Sequence, residues 1–260
     1  VTSSRLRSAL LRGAVGLLAA VQLTACGGSA HNTPRSAPHY ASGTEVGRPL
    51  PAGLRRMPLT DEQGRTVHLS DYAGRTVVLQ DVTTLCQELC PIDTATFVST
   101  ARQYQDRADD PSDTVFLSVT VDPERDTPAQ LRAYRRQYAG AGDQLPQWHL
   151  LTGSPADLAA LWKFLGVYVE KVPQDGAVRN WRTGQPLTYD VQHSDEVFFL
   201  DGSGAEQYLL DGMPSLGERR IPGDLQRFMS ARGHRNERRD SGWTATQALG
   251  VLAWLHHRPT

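Results

Sequence analysis

Three times in this chain an apolar, β-branched run is followed by a helix start that carries proline in its first turn. Thr76-Val-Val-Leu79 leads to Pro91, Thr114–Val121 leads to Thr127-Pro128, and Trp148–Leu151 leads to Ser154-Pro155. Proline is favoured at that position because the first helical N–H has no intrahelical partner to lose. Runs of this length and composition read as buried strands. Strands alternating with helices point to one sheet with helices packed on it, an α/β sandwich.

The helix segments carry apolar faces at spacings of three and four. After Pro91 the face is Phe97, Val98, Ala101 and Tyr104; after Pro155 it is Leu158, Leu161, Trp162 and Leu165, with Gly166 as the stop. Thr127 with Gln130 three residues on reads as a capping box. Leu54–Leu59 and Thr66–Leu69, joined through Asp61 and Gly64, read as an N-terminal hairpin. Glu196–Asp201 and Glu206–Leu210 around Gly202-Ser203-Gly204 read as a second one. Between them Val167–Val172 is short and extended, and Pro173–Thr188 is a polar surface loop. A helix near Asp224–Ala231 and a charged stretch from His234 to Asp240 precede a last amphipathic helix, Trp243–Trp254, which starts at Thr244-x-x-Gln247. The expected fold is therefore α/β, with a mixed central sheet, an N-terminal hairpin and a C-terminal helix.

The ends of the chain read differently. Arg5, Arg7 and Arg12 precede or open the apolar stretch Gly13–Leu23, a short basic-then-apolar pattern of a signal peptide over residues 1–25. It closes on Leu23-Thr-Ala-Cys26-Gly27, which resembles a bacterial lipobox; the resemblance implies that Cys26 is the lipidation site and tethers the protein to the outer side of a membrane. Two acyl chains suffice for stable anchoring where one is marginal. Residues 26–53 are rich in Gly, Ser, Pro and Thr and read as a flexible tether in which His31 and His39 are solvated. A folded domain is expected over 54–232 and a helical extension over 233–260. Lys plus Arg number 27 against 28 Asp plus Glu, so no basic excess argues for a nucleic-acid partner.

Chemistry concentrates at Cys86 and Cys90, between the end of the first buried strand and the start of its helix. Open α/β sheets keep their sites at that edge, and the helix N-terminus at or next to Cys90 is expected to lower the pKa of that thiol. The pair admits two readings, a ligand or redox dithiol and an inert stapling disulfide; a bridge closing so short a loop adds little stability.

Thr84-Leu-Cys86-Gln-Glu-Leu-Cys90-Pro91, Val121-Asp-Pro-Glu-Arg-Asp-Thr-Pro128, Leu151-Thr-Gly153 and Tyr189-Asp-Val-Gln-His193, in this order, resemble the Sco/SenC family. The resemblance spans about Leu54 to Asp211. It implies a thioredoxin-like fold, copper bound by Cys86, Cys90 and His193, and delivery of that copper to a cytochrome c oxidase subunit. It also places Asp122 and Asp126 near the site without making them ligands. Two departures stand out: Gln87 replaces a proline common after the first cysteine, and Gln80-Asp81-Val82 replaces an aromatic, apolar strand end. Two thiolates and an imidazole are by themselves a soft set suited to copper(I) and tolerant of copper(II). The alternative function is a thiol-disulfide oxidoreductase using Cys86 and Cys90 alone. His68, His149, His256 and His257 are assigned no function.

Overall fold

The computed structural model describes residues 36–257, apart from 89, 141, 143, 213, 216–225, 227, 228 and 231–241. The expected signal peptide, Cys26 and His31 lie outside the described residues, as does most of the expected helix near 224–231.

In chain order the elements are β1 (Gly43–Pro49), α1 (Ala52–Arg56), β2 (Leu59–Asp61), β3 (Thr66–Val67), β4 (Thr76–Val82), α2 (Cys90–Gln105), β5 (Thr114–Thr120) and α3 (Pro128–Ala139). They continue with β6 (Trp148–Gly153), α4 (Pro155–Leu165), β7 (Val169–Pro173), β8 (Tyr189–His193), β9 (Glu196–Leu200), β10 (Ala205–Asp211) and α5 (Ala245–His256). Eight strands form one sheet in the order β1-β10-β9-β4-β5-β6-β2-β3, and β7 and β8 form a separate antiparallel ribbon. The three strands that precede the proline-marked helices lie side by side and parallel, with Val78 opposite Phe116 and Phe116 opposite Trp148. The outer pairings are antiparallel, so the sheet is mixed.

Every residue of β4 and β5 is buried, as strands covered on both faces require. The two-residue alternation splits their side chains between two cores. Val78, Val82, Phe116, Trp148, Leu150, Val197 and Phe199 pack with α2, α3 and α5. Val77, Leu79, Val115, Leu117, Leu151, Phe198 and Leu200 pack with Leu158, Leu161, Trp162 and Leu165 of α4. The helix starts follow their sequence signals. Ser154 accepts from the Asp157 N–H at 3.1 Å, Gly166 ends α4 in the left-handed region, and Thr244 with Gln247 forms a complete capping box.

Three expectations are corrected. Residues 43–49, read as part of a tether, form edge strand β1 on β10. Composition misses such a strand because its side chains stay largely exposed and the backbone ladder carries it. Gly43 is required there: a Cβ would lie 2.1 Å from the Tyr208 Oη. The N-terminal hairpin is shorter and later than expected, β2 with β3, since residues 52–56 are helical. Its turn is held by Asp61, whose Oδ1 accepts from the N–H of Gln63 and Arg65 at 2.9 and 2.8 Å. Thr127 caps α3, accepting from the Gln130 N–H at 3.4 Å, but the Gln130 amide is diverted to Thr84 and Arg182, which changes the expected capping box.

A candidate metal and redox centre

The C-terminal end of β4, the N-terminus of α2 and the junction between β8 and β9 meet at one place. The loop after β4 carries Cys86, and Cys90 is the first residue of α2, buried to 2% exposure. Both are free thiols. His193 ends β8 and its side chain is 5% exposed. Its Nε2 lies 3.4 Å from the Cys90 Sγ, so residues 103 positions apart meet. With metal–sulfur and metal–nitrogen bonds of about 2.3 and 2.0 Å, two ligands of one tetrahedral ion sit roughly 3.5 Å apart. The observed separation is compatible with a shared ion.

The three groups shift one another's protonation. The Cys86 thiol is pulled down to about 7, first by its hydrogen bond with Cys90, then by the N–H groups of Glu88 and Cys90 and by His193, against burial. Cys90, expected from its place at the helix N-terminus to be lowered, is instead pushed well above the usual thiol range by that same hydrogen bond and by burial. Cys86 is thus the more acidic thiol of the pair. Burial disfavours the His193 imidazolium, but the Asp81 carboxylate at its Nδ1, with Asp195 and Cys86 beyond, outweighs this and lifts the ring to about 10. The Nδ1 atom lies 2.5 Å from Asp81 Oδ2, 2.9 Å from the Ser194 carbonyl and 3.9 Å from Asp195 Oδ1.

Three carboxylates of the centre, Asp81 and Asp195 beside the ring and Asp93 near Asp195, were not singled out from the sequence as site residues. Asp81 was visible there only as a polar departure at a strand end. Asp195 follows His193 by two residues, and Asp93 looks like an ordinary acidic residue of a helix first turn. Asp93 is pushed well above the carboxylate range by burial and then by the nearby Asp195. Burial also raises Glu196, to about 7. Asp81, His193 and Asp195 offer ligand atoms within 4.8 Å of one another.

Asp122 and Asp126 hold the frame. Asp126 is wholly buried and accepts from the Thr84 N–H at 3.1 Å and the Thr120 hydroxyl at 2.6 Å, and from the Thr84 hydroxyl, fixing the loop two residues before Cys86. Asp122 accepts from the Tyr189 hydroxyl at 2.9 Å and from Arg125. Arg125 in turn donates to the Tyr189 carbonyl at 2.6 Å and lies over its ring at 3.8 Å. That set ties the start of β8, and hence His193, to the segment after β5. The polar loop between β7 and β8 also reaches the cysteines. The Trp181 indole N–H donates to the Thr84 carbonyl at 2.7 Å, and the Gln87 amide donates to the Arg179 carbonyl at 3.0 Å. His149 pairs with the buried Glu62, and His256 docks α5 against Tyr104 and Thr114.

Comparison with known proteins places this arrangement. The SCO1/SenC family model matches residues 54–228, more than half of the chain. The Bos taurus protein "SCO2 homolog, mitochondrial" is 29% identical over 161 residues, 62% of this chain. The match spans 54% of that relative's own length. Among solved structures, one from Aquifex aeolicus VF5 aligns with a TM-score of 0.51 at 18% identity, covering 65% of this chain and 85% of the other. Arabidopsis thaliana ScoI with copper bound aligns at 0.45 and 22% identity, covering 60% and 85%. The shared fold is the thioredoxin-like one, a mixed central sheet with helices on both faces.

Proposed function

Since the chain belongs to the SCO1/SenC family, we propose that it is a copper chaperone in which Cys86, Cys90 and His193 hold one copper ion as cargo for a cytochrome c oxidase subunit. The approach of the His193 Nε2 to the Cys90 Sγ, 3.4 Å across a sequence gap of 103, is the observation that carries this reading. Two sulfurs and one imidazole nitrogen form a donor set that takes copper(I) and accommodates copper(II). Binding displaces the Cys90 thiol proton and the Nε2 proton of the imidazolium, so loading releases protons. The lipobox-like Leu23–Gly27 supports tethering through Cys26 to the extracytoplasmic face of a membrane, where a membrane-bound recipient would be met at high effective concentration.

The test is copper titration of the reduced protein with alkylation of the unprotected thiols. One equivalent bound, with both cysteines protected, is the expected result, and His193→Ala should weaken binding at least tenfold. Unchanged copper affinity in that variant overturns the ligand set.

A second reading rests on the depressed Cys86 thiol beside a protonated Cys90. The Cys86 thiolate attacks one sulfur of a partner disulfide, and Cys90 then displaces the mixed disulfide. The partner leaves as a dithiol and this chain as the Cys86–Cys90 disulfide. That activity needs no imidazole, so His193→Ala would retain it.

A further inference from the structure

Asp81 sits at the end of the strand that delivers the cysteine loop, 5% exposed, and touches the histidine delivered by another part of the chain. Its two oxygens have separate tasks. Oδ1 accepts from the Glu196 N–H at 3.1 Å, which pins the carboxylate between β4 and β9. Oδ2 faces the His193 Nδ1 at 2.5 Å. The second partner of Nδ1 is the Ser194 carbonyl at 2.9 Å. A carboxylate and a carbonyl only accept, so Nδ1 carries the hydrogen and Nε2 is the atom left for the cysteine side.

We propose that Asp81 is a positioning residue of the copper site: it holds the His193 ring with Nε2 toward Cys90, and its buried negative charge biases the site toward copper(II) over copper(I). The inference rests on His193 being a ligand, as proposed above. A carboxylate bonded to the far nitrogen of a ligating imidazole fixes the ring orientation and makes the other nitrogen a better donor. A fixed negative charge in a poorly solvated site stabilises the ion of higher charge more than the ion of lower charge. Asp81 is thereby a specificity-determining residue of this site.

The experiment compares wild type, Asp81→Asn and His193→Ala as full-length reduced proteins, with folding checked by circular dichroism. In Asp81→Asn the single amide oxygen serves either the Glu196 N–H or the His193 Nδ1–H, not both. In the metal-free protein the Nδ1 proton, followed by NMR, should exchange with water at least tenfold faster. Copper(II) affinity should fall about tenfold or more, the usual range for losing such a partner, with a smaller loss for copper(I) and an altered copper(II) EPR spectrum. Asp81→Leu, which removes both acceptors, should lose at least as much; it is read if Asp81→Asn does not fold. Unchanged Nδ1 exchange together with an unchanged copper(II) to copper(I) affinity ratio overturns the role of Asp81. Faster exchange with wild-type copper(II) binding in both Asp81→Asn and His193→Ala overturns the ligand reading, and the metal role of Asp81 with it.

Discussion

Replacing Asp126 with asparagine should make the protein more stable at alkaline pH and leave its stability unchanged in acid. Asp126 has no solvent exposure, and burial pushes its carboxyl from an ordinary 3.8 to about 6, although the Thr120 and Thr84 hydroxyls and the Thr84 N–H all favour the ionised form. For an acid whose folded pKa is raised, the unfolded chain ionises first as pH rises. Folding stability is therefore unaffected below about pH 4, is lost progressively between about pH 4 and 6, and stays lost above. The displacement corresponds to about 3 kcal/mol, at about 1.4 kcal/mol per pKa unit. Asparagine keeps the shape and can accept from the Thr84 N–H and the Thr120 hydroxyl with its oxygen. Its NH2 can donate to the Thr84 hydroxyl, with no charge to bury. Urea unfolding of wild type and Asp126→Asn at pH 4.5 and 8 isolates the term, because Asp93, Asp195 and Glu196 titrate in both proteins and cancel in the difference. The variant should gain about 2 kcal/mol relative to wild type between the two pH values, since about 1 kcal/mol of the difference is already present at pH 4.5. A difference independent of pH, or one that grows in acid, refutes the argument that burial dominates the environment of Asp126.

Two further outcomes follow from other parts of the fold. Alkylation of the reduced protein should be confined largely to Cys86, with a rate midpoint near pH 7; Cys90→Ala, which removes the S–H donor, should move that midpoint upward, and Cys90→Ser should move it less. A midpoint indifferent to both changes shows that Cys90 does not hold the Cys86 thiolate. Gly43→Val should cost about 1–3 kcal/mol in urea unfolding and speed hydrogen exchange along β1, since the new Cβ would meet the Tyr208 ring, whose hydroxyl donates to the Pro38 carbonyl at 2.7 Å. No change in either measurement returns residues 43–49 to the status of a tether.

The strand–helix rhythm of this chain was legible because it is local. A β-branched run, a capping Ser or Thr and a proline each act within a few residues, and β4 to α4 lie where those signals place them. The cysteine pair was legible for the same reason, at the junction of one strand and one helix. Edge strand β1 was not, because its stabilisation is a backbone ladder to β10, some 160 residues away, and leaves almost no pattern in its side chains. The Gln130 amide departed from its local rule for a related reason, since Thr84 and Arg182 compete for it only after folding.

The sequence by itself determined the fold class, the alternation of buried strands with helices and the chemistry available at Cys86, Cys90 and His193. Tertiary structure alone decided which carboxylates surround that chemistry: Asp81, Asp93 and Asp195 come from a strand end, a helix and a loop, and meet only when β4, α2 and the β8–β9 junction close on one another. Charge–charge coupling depends on distance and burial, and neither is written in the spacing of residues along a chain.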